Sequence, residues 1–170
     1  MVGKRVLEIG CGPGFLSKQV AKIAAWYMGI DYSQLALAIA RLTSPPNCGY
    51  YHLADLAAIS QYAGTMDTMV GRNFFIHQNY QNLTWLLALA AILLKPGGLI
   101  SADFYLGNPA VPQGIVHPAR QKLDENYPSC AFEYTVPDIT EAASATGFMV
   151  ESITDNLELQ RRFVFFRKAG

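Results

Sequence analysis

The stretch VLEIGCGPGF at residues 6–15 constrains this chain more than any other. A short apolar run carrying one acid, Glu8, meets three glycines in five positions, Gly10, Gly12 and Gly14. An apolar run of that length bounded by glycine reads as a buried strand. Bare glycines permit positive φ angles and let a ligand lie directly against the backbone. Pro13 stiffens the turn and gives up an N–H. Beyond it, Phe15, Leu16, Val20, Ile23 and Ala24 share one face at helical spacing, with Lys18, Gln19 and Lys22 opposite. Phe15 is expected to face the core beneath that helix. A strand, a glycine turn and a helix in this order open folds whose ligands bind beyond the carboxyl ends of a parallel sheet.

The alternation continues. WYMGI (26–30) reads as strand two and SQLALAIARL (33–42) as a helix capped by Ser33. YYHL (50–53) and TMDTMV (65–70) are strands three and four. An apolar helix containing WLLALAAILL (85–94) stops at KPGG, and GLISADFY (98–105) is strand five. The rhythm then lapses over 106–137, rich in Pro and aromatics, into an expected loop with one short helix, and loops that long are often functional. Pro137 opens a helix that Gly147 closes. FMVESIT (148–154) and RRFVFFR (161–167) finish the chain, with too little between them for a crossover helix, so they should pair antiparallel. The fold class is α/β: a three-layer sandwich, a mostly parallel sheet with helices on both faces.

Composition removes several functions. At 170 residues the chain is one domain by size, 1–170, with 51% apolar and 15% charged residues. Thirteen basic and thirteen acidic side chains cancel, so the electrostatic footprint of a nucleic-acid binder is missing. WLLALAAILL falls short of the roughly 20 apolar residues that span a bilayer. Neither a membrane nor a nucleic acid is the expected partner. Cys11, Cys48 and Cys130 are scattered without paired spacing, which fits reduced thiols of a cytoplasmic protein and no metal site.

The glycine spacing selects the ligand. A dinucleotide fingerprint places its third glycine at position 15, which is Phe15 here. Glu8 beside the turn would repel pyrophosphate and suits a cationic ligand. With GIDYS (29–33), HLADL (52–56), MDTMVGRNFFIH (66–77) and LLKPGGLISADF (93–104), the turn resembles class I S-adenosylmethionine-dependent methyltransferases from Val6 to about Phe166. The resemblance implies a seven-stranded sheet of order 3-2-1-4-5-7-6 with strand seven antiparallel. It implies S-adenosylmethionine as cofactor, S-adenosylhomocysteine as product, and Glu8, Gly10, Cys11, Gly12 and Gly14 as the cofactor turn. By the same likeness Asp31 accepts from the ribose hydroxyls, Tyr32 covers the adenine, and Asp55 accepts from the adenine amine beside Leu56. Gly71, Arg72 and Asn73 line the methyl end. Each acid also has an ordinary use as a solvated loop carboxylate or a helix cap.

Methyl transfer is an in-line displacement at an already activated carbon, so proximity and a dry cavity can supply most of the catalysis. The segment Arg72-Asn73-Phe74-Phe75 lacks the Asn/Asp-Pro-Pro-aromatic pattern of amino-nitrogen methylases. Asp103 and Asn108 do not form the adjacent Asp-Asn pair of magnesium-dependent relatives, and PPNC (45–48) is not a Pro-Cys nucleophile. His77, just past strand four, is the acid/base candidate, with pocket lining or helix capping as its other use. His52 reads as structural, while Tyr105, His117 and Tyr127 could touch an acceptor. The expected function is transfer to a small-molecule acceptor, with 106–137 as a substrate-side insertion or lid. A catalytically silent cofactor-binding subunit and a nicotinamide oxidoreductase are the alternatives. Relatives usually carry helices ahead of strand one, which here begins about five residues from Met1. An earlier start, a homodimer or partner subunit as cover, or an open cleft each accommodates that.

Overall fold

The computed structural model describes residues 1–107, 116–122, 131–156 and 161–170. Its strands are β1 (Arg5–Ile9), β2 (Trp26–Asp31), β3 (Cys48–His52), β4 (Met66–Gly71), β5 (Leu94–Leu106), β6 (Val116–Pro118), β7 (Ala131–Tyr134), β8 (Phe148–Asn156) and β9 (Arg161–Lys168). The helices are α1 (Ser17–Val20), α2 (Gln34–Thr43), α3 (Leu56–Ser60), α4 (Tyr80–Leu93) and α5 (Val136–Ala145), with one 3-10 turn at Phe75–His77.

The first five strands lie parallel in the order β3-β2-β1-β4-β5. β9 then pairs antiparallel with both β5 and β8, so the final strand is inserted between β5 and β8, the arrangement expected from the sequence. The sheet is longer than expected in one respect. Beyond the β9 pairing, Tyr105 and Leu106 of β5 pair parallel with β7, which pairs with β6. The stretch 106–137, expected as loop with one short helix, therefore contributes two short parallel strands among its described residues. Asn108, Tyr127 and Cys130 lie outside the described residues.

Side-chain alternation with both faces covered explains the strand composition. Leu7, Met28, Met69, Ile100, Phe104 and Phe166 face one way, against Leu83, Leu87 and Ala90 of α4 and Ile139 and Ala142 of α5. Val6, Tyr27, Tyr50 and Val70 face the other way, toward Val20, Leu37 and Ala40. Caps fall at signalled positions: Ser33 accepts from the Ala36 N–H at 3.2 Å, and Thr135 and Asp138 form a capping box beside Pro137. Among the described residues no helix is long and apolar enough to cross a membrane.

Phe15 corrects the sequence reading. It is 76% exposed, with the Lys18 ammonium 5.9 Å from its ring centre. The space beneath the turn belongs to hydroxyls instead. Fully buried Ser17 donates to the Gly14 carbonyl at 2.8 Å and accepts from the Tyr50 hydroxyl at 2.6 Å, and Ser44 lies 2.5 Å from that hydroxyl. A methyl group on Gly14 would already meet Ser17 Oγ at 2.9 Å, so the turn is packed closely onto these hydroxyls. Phe104, by contrast, is wholly buried against Phe75, Tyr134 and Phe166. Denaturant titration should show Phe104→Ala costing about 3–5 kcal/mol. Phe15→Ala should stay within about 0.5 kcal/mol, as exposed positions do.

Candidate active site

The carboxyl ends of β1 to β5 carry nearly every polar group singled out in the sequence. The Gly10 and Cys11 N–H groups both donate to the Ile30 carbonyl, at 2.8 and 3.1 Å, hooking the glycine turn over the end of β2. Asp31 completes the hook: one carboxylate oxygen accepts from the Gly12 N–H and the other from the Ser33 N–H, each at 2.8 Å. Gly12 has φ 51 and nothing within 4 Å of where a Cβ would stand, so its backbone is open to a ligand. Gly10 serves a second purpose. A Cβ there would fall 2.3 Å from the Phe74 ring, so the residue must be glycine for the strand-four loop to close over the turn.

Glu8 lies beneath this turn, almost fully buried on β1, and its Oε2 has no hydrogen-bond partner among the described residues. Burial first, then repulsion from Asp31, push its carboxyl up to about 8, and Arg72 offsets part of that. Burial and the two neighbouring carboxyl groups also push the Cys11 thiol up, so it is a packed neutral thiol rather than a nucleophile. Burial raises the Cys48 thiol as well.

Tyr32 is exposed beyond β2, edge-on to His52. The Ala54 N–H donates to His52 Nδ1 at 3.2 Å, which leaves Nε2 as the donor to the Tyr32 carbonyl at 2.8 Å. His52 thus pins the exits of β2 and β3 together. Tyr32, Leu53, Phe74, Gln78, Trp85 and Leu86 line a cavity of about 100 Å³. That is below the ~300–1,000 Å³ of whole-ligand pockets, so it takes one part of a ligand whose remainder lies along the open turn. Asp55 and Leu56 are exposed and do not line it; one Asp55 oxygen caps α3 by accepting from the Ala58 N–H at 3.1 Å. Gly71 is bare because the Phe75 ring occupies the place of its Cβ, at 2.3 Å. Arg72, Asn73 and His77 are exposed on the loop that follows, His77 at the end of the 3-10 turn.

Two features were not found by sequence reasoning. Phe74 bridges the glycine turn and the cavity. Asp103, weighed in the sequence only as a metal ligand, is fully buried and paired with Arg161 at 2.7 Å. Hydropathy alternation gave a signal for Asp103, an acid at a buried strand position, but none for its partner.

The geometry fits a cation-bearing nucleoside better than a dinucleotide, since two carboxyl groups crowd the turn and the third-glycine position is Phe15. Residues 6–98 match the methyltransferase-domain family. The chain belongs to that family. S-adenosylmethionine is the family's cofactor, and residues 6–98 include the whole hook and both of its acids. The chain is 37% identical over 103 residues to a ubiquinone biosynthesis O-methyltransferase of Aromatoleum aromaticum, covering 59% of this chain and 43% of that protein. It thus spans under half the length of the curated relatives it matches. Among solved structures, a SAM-dependent methyltransferase of Methanosarcina mazei superposes with a TM-score of 0.73 at 16% identity, over 99% of this chain and 94% of its own. Magnesium protoporphyrin IX methyltransferase from Synechocystis PCC 6803, with bound S-adenosylhomocysteine, gives 0.68 at 18%, over 99% and 75%. These likenesses establish the class I fold.

The raised Glu8 carboxyl has a measurable consequence. Its folded value lies above its unfolded one, so the native state holds a proton that the unfolded state has released, and stability falls as pH rises between the two. Each unit of displacement is worth about 1.4 kcal/mol. Relative to Glu8→Gln, the wild-type chain should lose roughly 2–4 kcal/mol between pH 5 and pH 8 in denaturant titrations. A constant difference across that range would show that Glu8 is not held protonated.

Proposed function

We propose that this chain binds S-adenosylmethionine across the glycine turn and transfers its methyl group to an oxygen of a small-molecule acceptor. The observation that carries the reading is the buried Glu8 carboxyl near Asp31, one oxygen of which has no hydrogen-bond partner among the described residues, together with the open backbone of Gly12. The Asp31 charge repels pyrophosphate, and a cation bound beside Glu8 would draw off its proton and be met by the carboxylate that remains. The cofactor supplies a methyl carbon already activated by sulfonium charge. The chain's own part is to bind, orient and exclude water.

In this reading Gly10, Cys11, Gly12 and Gly14 offer backbone to the methionine portion, and Glu8 releases its proton to become the counter-charge when that portion's ammonium binds. Asp31 accepts from the ribose, and Tyr32, Leu53 and Phe74 enclose the adenine. Asp55, with Leu56 beside it, offers its second oxygen to the adenine amine, and Gly71, Arg72 and Asn73 border the sulfonium. His77 stands on the same loop and takes the proton from the acceptor hydroxyl. Oxygen as the acceptor atom draws support from the O-methyltransferase relatives.

The described residues of 106–137 border the acceptor side in this reading. They are tied to the strand-four loop: Tyr134 Oη donates to the Gln78 carbonyl at 2.6 Å, and the Tyr80 N–H donates to the Ala119 carbonyl at 2.7 Å. Amide exchange at 116–122 should slow when an acceptor binds; unchanged exchange there removes this assignment.

Calorimetry with S-adenosylhomocysteine should show binding that Asp31→Ala weakens by about 1.5–3 kcal/mol, through lost charge-assisted hydrogen bonds. Equal affinity in that variant would falsify the ribose assignment. With labelled S-adenosylmethionine and a panel of phenols and catechols, His77→Asn should lower kcat about 10²-fold or more while leaving S-adenosylhomocysteine affinity unchanged. Undiminished turnover removes His77 as the base.

A further inference from the structure

Asn73 is the only non-glycine residue with positive φ among the described residues, at 55°. Side chains other than glycine take that conformation rarely, and asparagine tolerates it best. Three hydrogen bonds hold it there. Its N–H faces both oxygens of Asp103, at 3.0 and 3.1 Å, and its side-chain Oδ1 accepts from Arg161 Nη1. The same guanidinium nitrogen reaches Asp103 Oδ2 at 2.7 Å. Three residues far apart in sequence thus close a ring that joins the exit of β4 to β5 and β9.

What the ring fixes is visible in the next residue. Phe74 follows Asn73 directly, lies on the bare Gly10 of the cofactor turn, and walls the cavity with Tyr32 and Leu53. If Asn73 relaxed to an ordinary backbone conformation, the chain direction at Phe74 would change and both contacts would be lost. A buried ion pair is a poor way to gain stability, because apolar residues of similar volume often serve as well or better. Its advantage is directional: a guanidinium and a carboxylate fix angles that an apolar contact leaves free.

We propose that Asp103 and Arg161 are positioning residues that hold the strand-four loop, through Asn73, in the shape that receives the cofactor. The proposal rests on the cofactor reading above. Neither side chain need touch cofactor or acceptor.

The test compares the wild-type chain with Asp103→Asn/Arg161→Met, which removes both charges together and leaves no lone buried charge. Asn73→Gly is then added to that double variant, since glycine takes the left-handed conformation without help. Three quantities are read: amide exchange over residues 72–76, the dissociation constant for S-adenosylhomocysteine, and the thermal midpoint. The double variant should exchange faster over 72–76 and bind roughly tenfold more weakly, as preorganisation is lost. Added Asn73→Gly should recover most of that affinity. If the double variant does not fold, Arg161→Lys takes its place, keeping a cation near Asp103 but, with its shorter side chain, withdrawing the Nη1 that bridges Asp103 and Asn73.

Unchanged exchange and affinity overturn the proposal. So does a lowered thermal midpoint with unchanged affinity, which would make the ring merely structural. Absence of binding by the wild-type chain overturns the cofactor reading itself, and the exchange measurement then still decides whether the ring holds the loop.

Discussion

Everything at the carboxyl end of the sheet depends on how one carboxylate is used. Asp31 ends β2 with its two oxygens directed at two different loops, the Gly12 N–H of the glycine turn and the Ser33 N–H that starts α2. Together with the bonds from Gly10 and Cys11 to the Ile30 carbonyl, this fixes the exit of β1 over the end of its neighbour. The turn is bare, and a bare turn has many conformations to lose on folding. Holding it by a charged acceptor restores definition without adding a side chain to the surface where a ligand lies. A carboxylate oxygen can accept more than one hydrogen bond, so the same group can still meet a ribose.

That arrangement has an electrostatic cost, visible in Glu8. Its carboxyl is raised first by burial and then by repulsion from Asp31, and Arg72 offsets only part of this. A fold selected for stability alone would place an apolar residue there, as it does at Val6 and Ile9 on the same strand. Retaining an acid with an empty oxygen in such a place is the kind of local inconsistency that marks a functional site. In the proposed function the missing charge arrives with the ligand.

The frame was legible in the sequence because each element announces itself locally. Alternating apolar strands, the cap at Ser33 and the Pro137 helix start all depend on neighbours a few residues away. The misreadings have the opposite character. Phe15 looks like a core residue by helical spacing, yet it is exposed, and the groups packed under the turn at Gly14 are Ser17, Ser44 and Tyr50, which arrive from three elements. The ring of Asn73, Asp103 and Arg161 draws on the loop after β4, on β5 and on β9, and no periodicity reports a pairing across 58 positions. Gly10 and Gly71 were read as flexible or ligand-facing. Each is also a flat place on which an aromatic ring, Phe74 or Phe75, is laid, and that use is invisible until the loop is folded back. The β6 and β7 extension was missed for a similar reason, since three or four residues are too short to show a period.

The family match ends at residue 98, just before the part of β5 that runs through the sheet. Up to that point the chain builds the hook, both acids and the strand-four loop. After it come Asp103, the two added strands, α5, and β9 with Arg161. The two halves meet at Asn73, whose backbone belongs to the matched half and whose partners belong to the other. In a fold that hosts many reactions, specificity resides in what is grafted onto the frame. In the proposed function the later part of the chain has two uses: its described residues border the acceptor, and Asp103 and Arg161 hold the loop after β4 through Asn73. If that reading holds, a change near Asp103 or Arg161 reaches the loop after β4 through side chains already in contact, with no separate pathway required. In the proposed function, substitutions at these positions would then affect cofactor and acceptor together, because the loop they disturb is the one that carries Phe74 and His77.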